Sequence, residues 1–283
     1  MTSGLDGFSE RQRLLLKRWL PGARVVTNHS WGLVETTVLE VMHNGAHLIV
    51  KAGGEDDHHI ERELHAHRHW LAPWTAIGRG PALVHGDAEA RLLVTQYLPG
   101  RLVLGGDHGD DPGVFQQAGE LLALFHSQAA VADDDYERRE NGKALAWLSG
   151  PHRIATATAE RLRALIEGWP TPSAVLAPTH GDWQPRNWLI DDDEVIRIID
   201  FGRAAMRPPL TDFGRLAVQD FRRDPRLEGA FLAGYGSDPR DDEAWYRSQV
   251  REAIGTAGWA YRVGDERFEA QGHRMIAAVL AQA

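Results

Sequence analysis

Two short polar stretches carry side chains suited to one kind of chemistry. His180-Gly181-Asp182-Trp183-Gln184-Pro185-Arg186-Asn187 offers a carboxylate at Asp182 and, five residues on, a carboxamide at Asn187, a spacing that one tight loop can fold around a single reaction centre. Thirteen residues beyond Asn187, the apolar run from Val195 to Ile199 delivers Asp200, followed by Phe201 and Gly202. Phosphoryl transfer asks little covalent work of a protein: a carboxylate to orient the attacking hydroxyl, oxygen ligands for Mg²⁺ and a cation on the phosphates. Asp182 is the candidate base, with Asn187 and Asp200 as candidate metal ligands. Each triplet alone reads equally as a turn-forming aspartate; the two together, correctly spaced, favour the chemical reading.

A second Asp-Phe-Gly stands at Asp212-Phe213-Gly214. Asp212 follows Pro208-Pro209 and precedes the apolar Leu216-Ala217, so it reads as a helix start, whereas Asp200 ends a β-type run. The metal role therefore goes to Asp200.

An H-G-D-x-x-x-x-N loop with a later Asp resembles the aminoglycoside phosphotransferase and choline kinase group of kinase-like enzymes, from about Val25 to about Ala217. The resemblance implies an α+β, bilobal protein-kinase-like fold. Residues 1–98 would form an N-terminal nucleotide-binding lobe, a small antiparallel sheet with one helix, and residues 99–283 a larger, mostly helical catalytic and substrate-binding lobe. It also implies ATP, with GTP as the alternative, and Mg²⁺. Lys51, closing Leu48-Ile49-Val50, matches the lysine that ends the third strand of such folds and reaches the phosphates. Its carboxylate partner is expected on the next helix, where Glu61 and Glu63 both occur. With Ile60, Leu64, His67 and Leu71 as the buried stripe, Glu63 lies roughly 60° and Glu61 roughly 100° from Ile60 around the helix, which favours Glu63.

The phosphate-covering loop is expected at Asn28 to Leu33, using Ser30 and backbone N–H groups; only Gly32 stands in for the G-x-G-x-x-G of protein kinases. Adenine is expected against Gln96-Tyr97-Leu98, a stretch that a plain strand-to-linker junction explains equally well. By the same likeness Asp212 braces the catalytic loop. Arg186 departs from the family, which often has a small residue there, and Trp183 is bulky beside the base. No Ala-Pro-Glu follows Asp200, and the stretch from Arg203 to Leu210 is too short for a protein-kinase activation loop, so no protein substrate is expected.

The elements that must position these residues are legible in outline. Leu15, Leu16 and Trp19 mark a helix from Ser9 to Trp19, stopped by Pro21-Gly22. Thr36 to Met42 and His47 to Ala52 read as a hairpin around Asn44-Gly45, His58 to Leu71 as a helix, and Leu92 to Tyr97 as a strand ending at Pro99-Gly100. Further on, Ala118, Leu121, Leu122 and Phe125 mark a helix, residues Ile154 to Ile166 another, and the last ~75 residues are again mostly helical. Trp188 to Ile190 and Val195 to Ile199 form a second hairpin around an acidic turn. His65 and His69 share a helical face, but without H-E-x-x-H or a third ligand they make a poor zinc site, and His126 fits a core histidine.

The chain has 283 residues, no cysteine and a formal charge of −9, so disulfides and thiolate metal sites are excluded and nucleic acid is a poor partner. No apolar run approaches membrane-spanning length and no signal-peptide layout opens the chain, which points to the cytoplasm. Acidic clusters at 107–111, 133–137, 191–194 and 241–243 either solvate loops or attract a cationic substrate. With the resemblance, they point to a small cationic acceptor, an antibiotic of the aminoglycoside or tuberactinomycin type. A housekeeping kinase of an amino alcohol or sugar, and a silent nucleotide-binding protein, are the alternatives.

Overall fold

The computed structural model describes residues 7–30 and 36–282. Ser9 and Gln12 form a capping box at the start of α1 (Glu10–Trp19). After it come strands β1 (Arg24–Asn28), β2 (Thr37–His43) and β3 (Ala46–Ala52), helices α2 (His59–His69) and α3 (Ala72–Ala76), and strands β4 (Leu83–Asp87) and β5 (Leu92–Gln96). The five strands form one antiparallel sheet in the order β1-β2-β3-β5-β4. Asn44 and Gly45 sit at φ +49° and +82° between β2 and β3, the left-handed pair that the tightest hairpins require.

Alternation along the strands splits the sheet into two faces. Leu39, Val41, Leu48, Val50, Leu92 and Val94 bury one face with Leu16 and Leu20. On the other face Leu93 packs with Ile60 and Leu64 of α2. Lys51 is paired directly with Leu93 across the ladder, so its side chain emerges on the α2 side.

The remaining elements are β6 (Arg101–Leu102), α4 (Pro112–His126), β7 (Val131–Asp133), α5 (Tyr136–Ser149), α6 (Thr156–Glu167), β8 (Ala174–Thr179), β9 (Trp188–Ile190), β10 (Ile196–Ile198), β11 (Ala205–Arg207), α7 (Gly214–Val218), α8 (Asp220–Arg223), α9 (Pro225–Tyr235), α10 (Asp242–Val263) and α11 (Glu266–Leu280). The chain divides into two compact units: Met1–Gln128 with Pro178–Ala205 and Asp224–Gly236, and Ala129–Ala177 with Met206–Arg223 and Ser237–Ala283. In the second unit, Leu148, Leu162, Ile166, Val250, Ile254 and Ile276 of α5, α6, α10 and α11 form the apolar core. Glu137 of α5 there binds both Arg247 and Arg251 of α10, at 2.7 and 2.9 Å.

Strands β1 and β4 and helix α5 were not legible in the sequence. β1 has one half-buried residue among exposed ones, so no period-2 pattern marks it. α5 is rich in charge at Glu137, Arg138, Arg139, Glu140 and Lys143, which masks its apolar stripe.

In the first unit α4 and α9 approach until their backbones touch. A Cβ on Gly119 would lie 2.1 Å from the Phe231 carbonyl oxygen, and one on Gly234 would lie 2.0 Å from that of Gln116. Neither obstacle is a side chain that can swing away. Gly119→Ala is therefore expected to destabilise the fold by about 2–3 kcal/mol despite alanine's better helix propensity, read from the midpoint of urea unfolding.

Candidate active site

The β9–β10 hairpin fixes the geometry around the catalytic-loop motif. Its register pairs Ile196 with Ile190 and Ile198 with Trp188. One step further, the Ile199 N–H donates to the Asn187 carbonyl at 3.0 Å. That contact brings Asn187, at the end of one polar stretch, beside the strand end that carries Asp200. The intervening turn is tied by Asp191, which accepts the Asp193 and Val195 N–H groups and a 2.6 Å bond from Arg197.

The loop before β9 closes on itself. Gly181 adopts φ +78°, a conformation that costs a side-chain-bearing residue free energy. His180 is fully buried; its Nε2–H donates to the Ile199 carbonyl at 3.1 Å, leaving Nδ1 to accept the Asp182 N–H at 3.3 Å. Asp182 itself is only 3% exposed. Gln184 donates to its Oδ1 at 2.6 Å, and Arg186 and Asn187 donate to its Oδ2 at 2.5 and 3.1 Å. A second bond from Asn187 Nδ2 reaches the Asp182 carbonyl at 2.8 Å, so the amide nitrogen is spent on the loop and the amide oxygen is left as a ligand atom.

Lys51 meets two carboxylates. Its ammonium donates to Glu63 at 2.8 and 3.0 Å and to Asp200 at 3.4 Å. Of the two candidate glutamates, Glu63 is thus the one in contact. Burial alone would pull the Lys51 ammonium down, but Glu63 and Asp200 together hold it above its ordinary range. Burial pushes Glu63 up against the opposing pull of Lys51, and the same cation holds Asp200 below its ordinary range. Asp200 sits at φ +68°, in the left-handed region that Asp tolerates better than bulkier residues, and its side chain is half exposed.

Phe201 is fully buried, and its ring packs with His67, Trp74 and His180 at centroid distances of 5.7, 5.7 and 5.1 Å. His59 bonds the Gly202 carbonyl at 2.9 Å, so α2 is held both to Asp200 through Lys51 and to the residues after it. Trp183 is 1% exposed and packs with Trp74, His180 and Trp188, so its bulk serves the core.

The other expected residues are less concentrated. Ser30 accepts the Val38 N–H at 3.0 Å and donates its own N–H to Asn28 at 2.9 Å, which ties the end of β1 to β2. Gly32 lies outside the described residues. The Gln96 and Tyr97 N–H groups donate to the Ala82 and His47 carbonyls at 2.9 and 3.0 Å, so neither is available to a base. Tyr97 stacks on His47 at 3.8 Å, and Leu98 is buried. Asp212 is buried in a short 3₁₀ turn of the second unit. His126 is a core residue bonded to Tyr235 at 2.8 Å.

The acidic clusters largely serve local structure. Asp111 and Asp241 cap α4 and α10, Asp133 pairs with Arg139 and Asp191 with Arg197. Sequence reading gave no role to Gln184 and placed His67 only on the buried stripe of α2. Their spacing, two residues after Asp182 and four after Glu63, was the available signal.

No group of three or more His, Asp or Glu side chains is arranged to hold a metal among the described residues. Asp200 and the Asn187 amide oxygen nonetheless fit Mg²⁺, which takes one or two protein oxygens and completes its shell with phosphates and water.

A family model described as the phosphotransferase enzyme family matches residues 55–248, a span that includes Glu63, the Asp182 loop and Asp200. The chain belongs to this family. It is a phosphotransferase of the small-molecule kinase class. Among solved structures, it is similar to a ternary complex of a thermostable mutant of aminoglycoside phosphotransferase APH(4)-Ia with ADP and hygromycin B, at 13% identity and a TM-score of 0.67, over 96% of this chain and 98% of that one. Choline kinase LicA from Streptococcus pneumoniae aligns at 14% identity and a TM-score of 0.67, over 97% and 100% of the two chains. The gentamicin complex of APH(2″)-IIa aligns at 16% identity and a TM-score of 0.65, over 95% and 96%. At these identities the likeness is one of fold, and it agrees with the kinase-like α+β architecture. No curated protein matches. No described helix is long and apolar enough to cross a membrane.

Two measurements probe this geometry. Lys51→Met leaves the 5%-exposed Glu63 carboxyl without its cation, in a place where burial already raises it. The folded state then holds a proton that the unfolded chain gives up, so stability falls as pH rises past the ordinary glutamate range. Urea unfolding should show a loss of about 3 kcal/mol near neutral pH and a smaller loss near pH 5.

His67 has both ring nitrogens buried without a partner, and burial, aided by Lys51, pushes it from 6.5 down to about 3. The unfolded chain binds the proton first, so this residue withdraws stability as pH falls from about 6.5 towards 3. His67→Leu should flatten that acid limb of the urea-unfolding profile, by on the order of 1–2 kcal/mol at pH 5.

Proposed function

We propose that this phosphotransferase moves the γ-phosphate of ATP to a hydroxyl of a small cationic molecule in the cytoplasm, with an antibiotic of the aminoglycoside or tuberactinomycin type as the first candidate. The observation that carries the reading is the Asp182 carboxylate, buried and held by three donors, in the same unit as the Lys51–Glu63–Asp200 cluster. Residues 1–98 would supply the nucleotide side and residues 99–283 the catalytic loop and acceptor side.

In this mechanism Lys51, steadied by Glu63, binds the ATP phosphates, with Ser30, Gly32 and the stretch Gln96-Tyr97-Leu98 along the rest of the nucleotide. Asn187 and Asp200 would hold Mg²⁺, which neutralises charge on the transferring group. Asp182 orients the acceptor hydroxyl and takes its proton as the oxygen bonds to the γ-phosphorus; the bond from that phosphorus to the β–γ bridging oxygen breaks, and ADP leaves. GTP is the alternative donor to be compared.

A kinase of an amino alcohol or a sugar is the second reading, favoured by the choline kinase likeness, which equals that to the aminoglycoside enzyme. It keeps every residue above and changes only the acceptor.

An ADP-release screen over cationic antibiotics and metabolites, with Mg²⁺, tests the reading. Asp182→Asn is expected to lose about 10²–10⁴-fold in kcat with little change in the KM for ATP, and Asp200→Asn to lose activity most steeply at limiting Mg²⁺. Normal turnover by Asp182→Asn would remove Asp182 as the base. Protection of a sensitive host by the gene would separate an antibiotic acceptor from a metabolite.

A further inference from the structure

The Asp200 carboxylate is half exposed, and its side-chain bond is the 3.4 Å contact to Lys51. Its backbone, at φ +68°, stands where a residue with a side chain is strained. The place of that carboxylate therefore depends on the turn that follows it. The Ala204 N–H closes this turn on the Phe201 carbonyl at 2.9 Å, and the Gly202 carbonyl accepts from His59 Nδ1 at 2.9 Å. A Cβ on Gly202 would stand 3.0 Å from that of His59, so helix and turn are already in contact.

His59 opens α2, four residues before Glu63, which binds Lys51. Residues at this spacing share a helix face, so a slide or rotation of α2 displaces both contacts together. Asp57 fixes that end of the helix. His58, at the N-cap position, makes no side-chain cap bond; Asp57 Oδ1 instead accepts the His59 and Ile60 N–H groups at 2.7 and 3.0 Å. Its Oδ2 accepts the Thr36 hydroxyl at 2.6 Å, and its carbonyl accepts from Arg91 Nε at 3.2 Å. Thr36 lies two residues before Val38, the cross-strand partner of Lys51. The bonds run in one chain from the strand beside Lys51, through Asp57 and the first turn of α2, to the turn after Asp200. Mg²⁺ demands near-ideal octahedral geometry, so a group that fixes the turn of a metal ligand is felt in the metal-dependent part of nucleotide binding.

We propose that Asp57 and His59 are positioning residues for phosphoryl transfer: Asp57 docks the first turn of α2 on the start of β2, and His59 ties that turn to the one that aims Asp200 at the metal. The proposal rests on the kinase reading and deepens its nucleotide side.

The test uses the full chain as wild type, His59→Ala, His59→Asn, Thr36→Val and Thr36→Ser, with the Kd for AMP-PNP measured by calorimetry with and without Mg²⁺, beside steady-state kinetics. Loss of one hydrogen bond in His59→Ala should weaken AMP-PNP binding about three- to tenfold with Mg²⁺ present and change it little without. The Mg²⁺ concentration for half-maximal turnover should rise by a similar factor while the KM for the acceptor stays the same. His59→Asn places an amide N–H where Nδ1 stands and should restore both. Thr36→Val should show the same Mg²⁺-dependent loss and Thr36→Ser should regain it, and this pair decides in the same terms if His59→Ala does not fold. Equal weakening with and without Mg²⁺, no weakening, or no rescue by the conservative variants overturns the proposal. Should no acceptor turn over, the kinase reading fails separately and the calorimetry still decides the positioning claim; a wild type that binds AMP-PNP no better with Mg²⁺ overturns it.

Discussion

The ammonium of Lys51, shared between Glu63 and Asp200, is the constraint on which the rest of the site depends. Three charged groups from a sheet strand, a helix and a hairpin end converge on one point. Left unpaired, Glu63 would be a costly buried carboxylate, and burial would pull the Lys51 ammonium down. The two carboxylates hold Lys51 charged and Lys51 holds Asp200 below its ordinary range, while burial and the neighbouring Asp200 push Glu63 up against the pull of Lys51. The pairing ties α2 to β3 on the face where Ile60 and Leu64 pack with Leu93.

The second fixed point is the Asp182 loop, which is stabilised differently. Its order comes from hydrogen bonds that close the chain on itself: Asn187 to the Asp182 carbonyl, Gln184 to the carboxylate and His180 to Ile199. Aromatic packing of Trp183, Trp188, Trp74 and Phe201 covers the loop, and Asp182 is buried within it. Polar groups in such a setting are worth more than at the surface, and leaving one unmet costs more. The site thus couples a charged triad and a hydrogen-bonded loop through the backbone bond between Ile199 and Asn187.

Charge elsewhere is used more locally than the net value of −9 suggests. Residues of the acidic clusters cap helices, as Asp111 and Asp241 do, or pair with arginines, as Asp133 and Asp191 do.

Much of this was legible in the sequence because it depends on local spacing. Asp182, Asn187 and Asp200 are separated by chain lengths that one loop and one hairpin fix. Asn44-Gly45 specified its turn through backbone sterics, and the stripe Ile60, Leu64 set Glu63 ahead of Glu61. What the spacing could not reveal was which side chains reach across the chain. The Lys51–Asp200 contact spans 149 residues, and the close approach of Gly119 to α9 depends on two distant helices docking backbone to backbone. The same holds for His67, whose buried ring packs edge-on against the distant Phe201. Sequence period determines which face of an element is buried; what lies against that face is decided by packing between elements far apart in the chain, and only the tertiary structure holds that information.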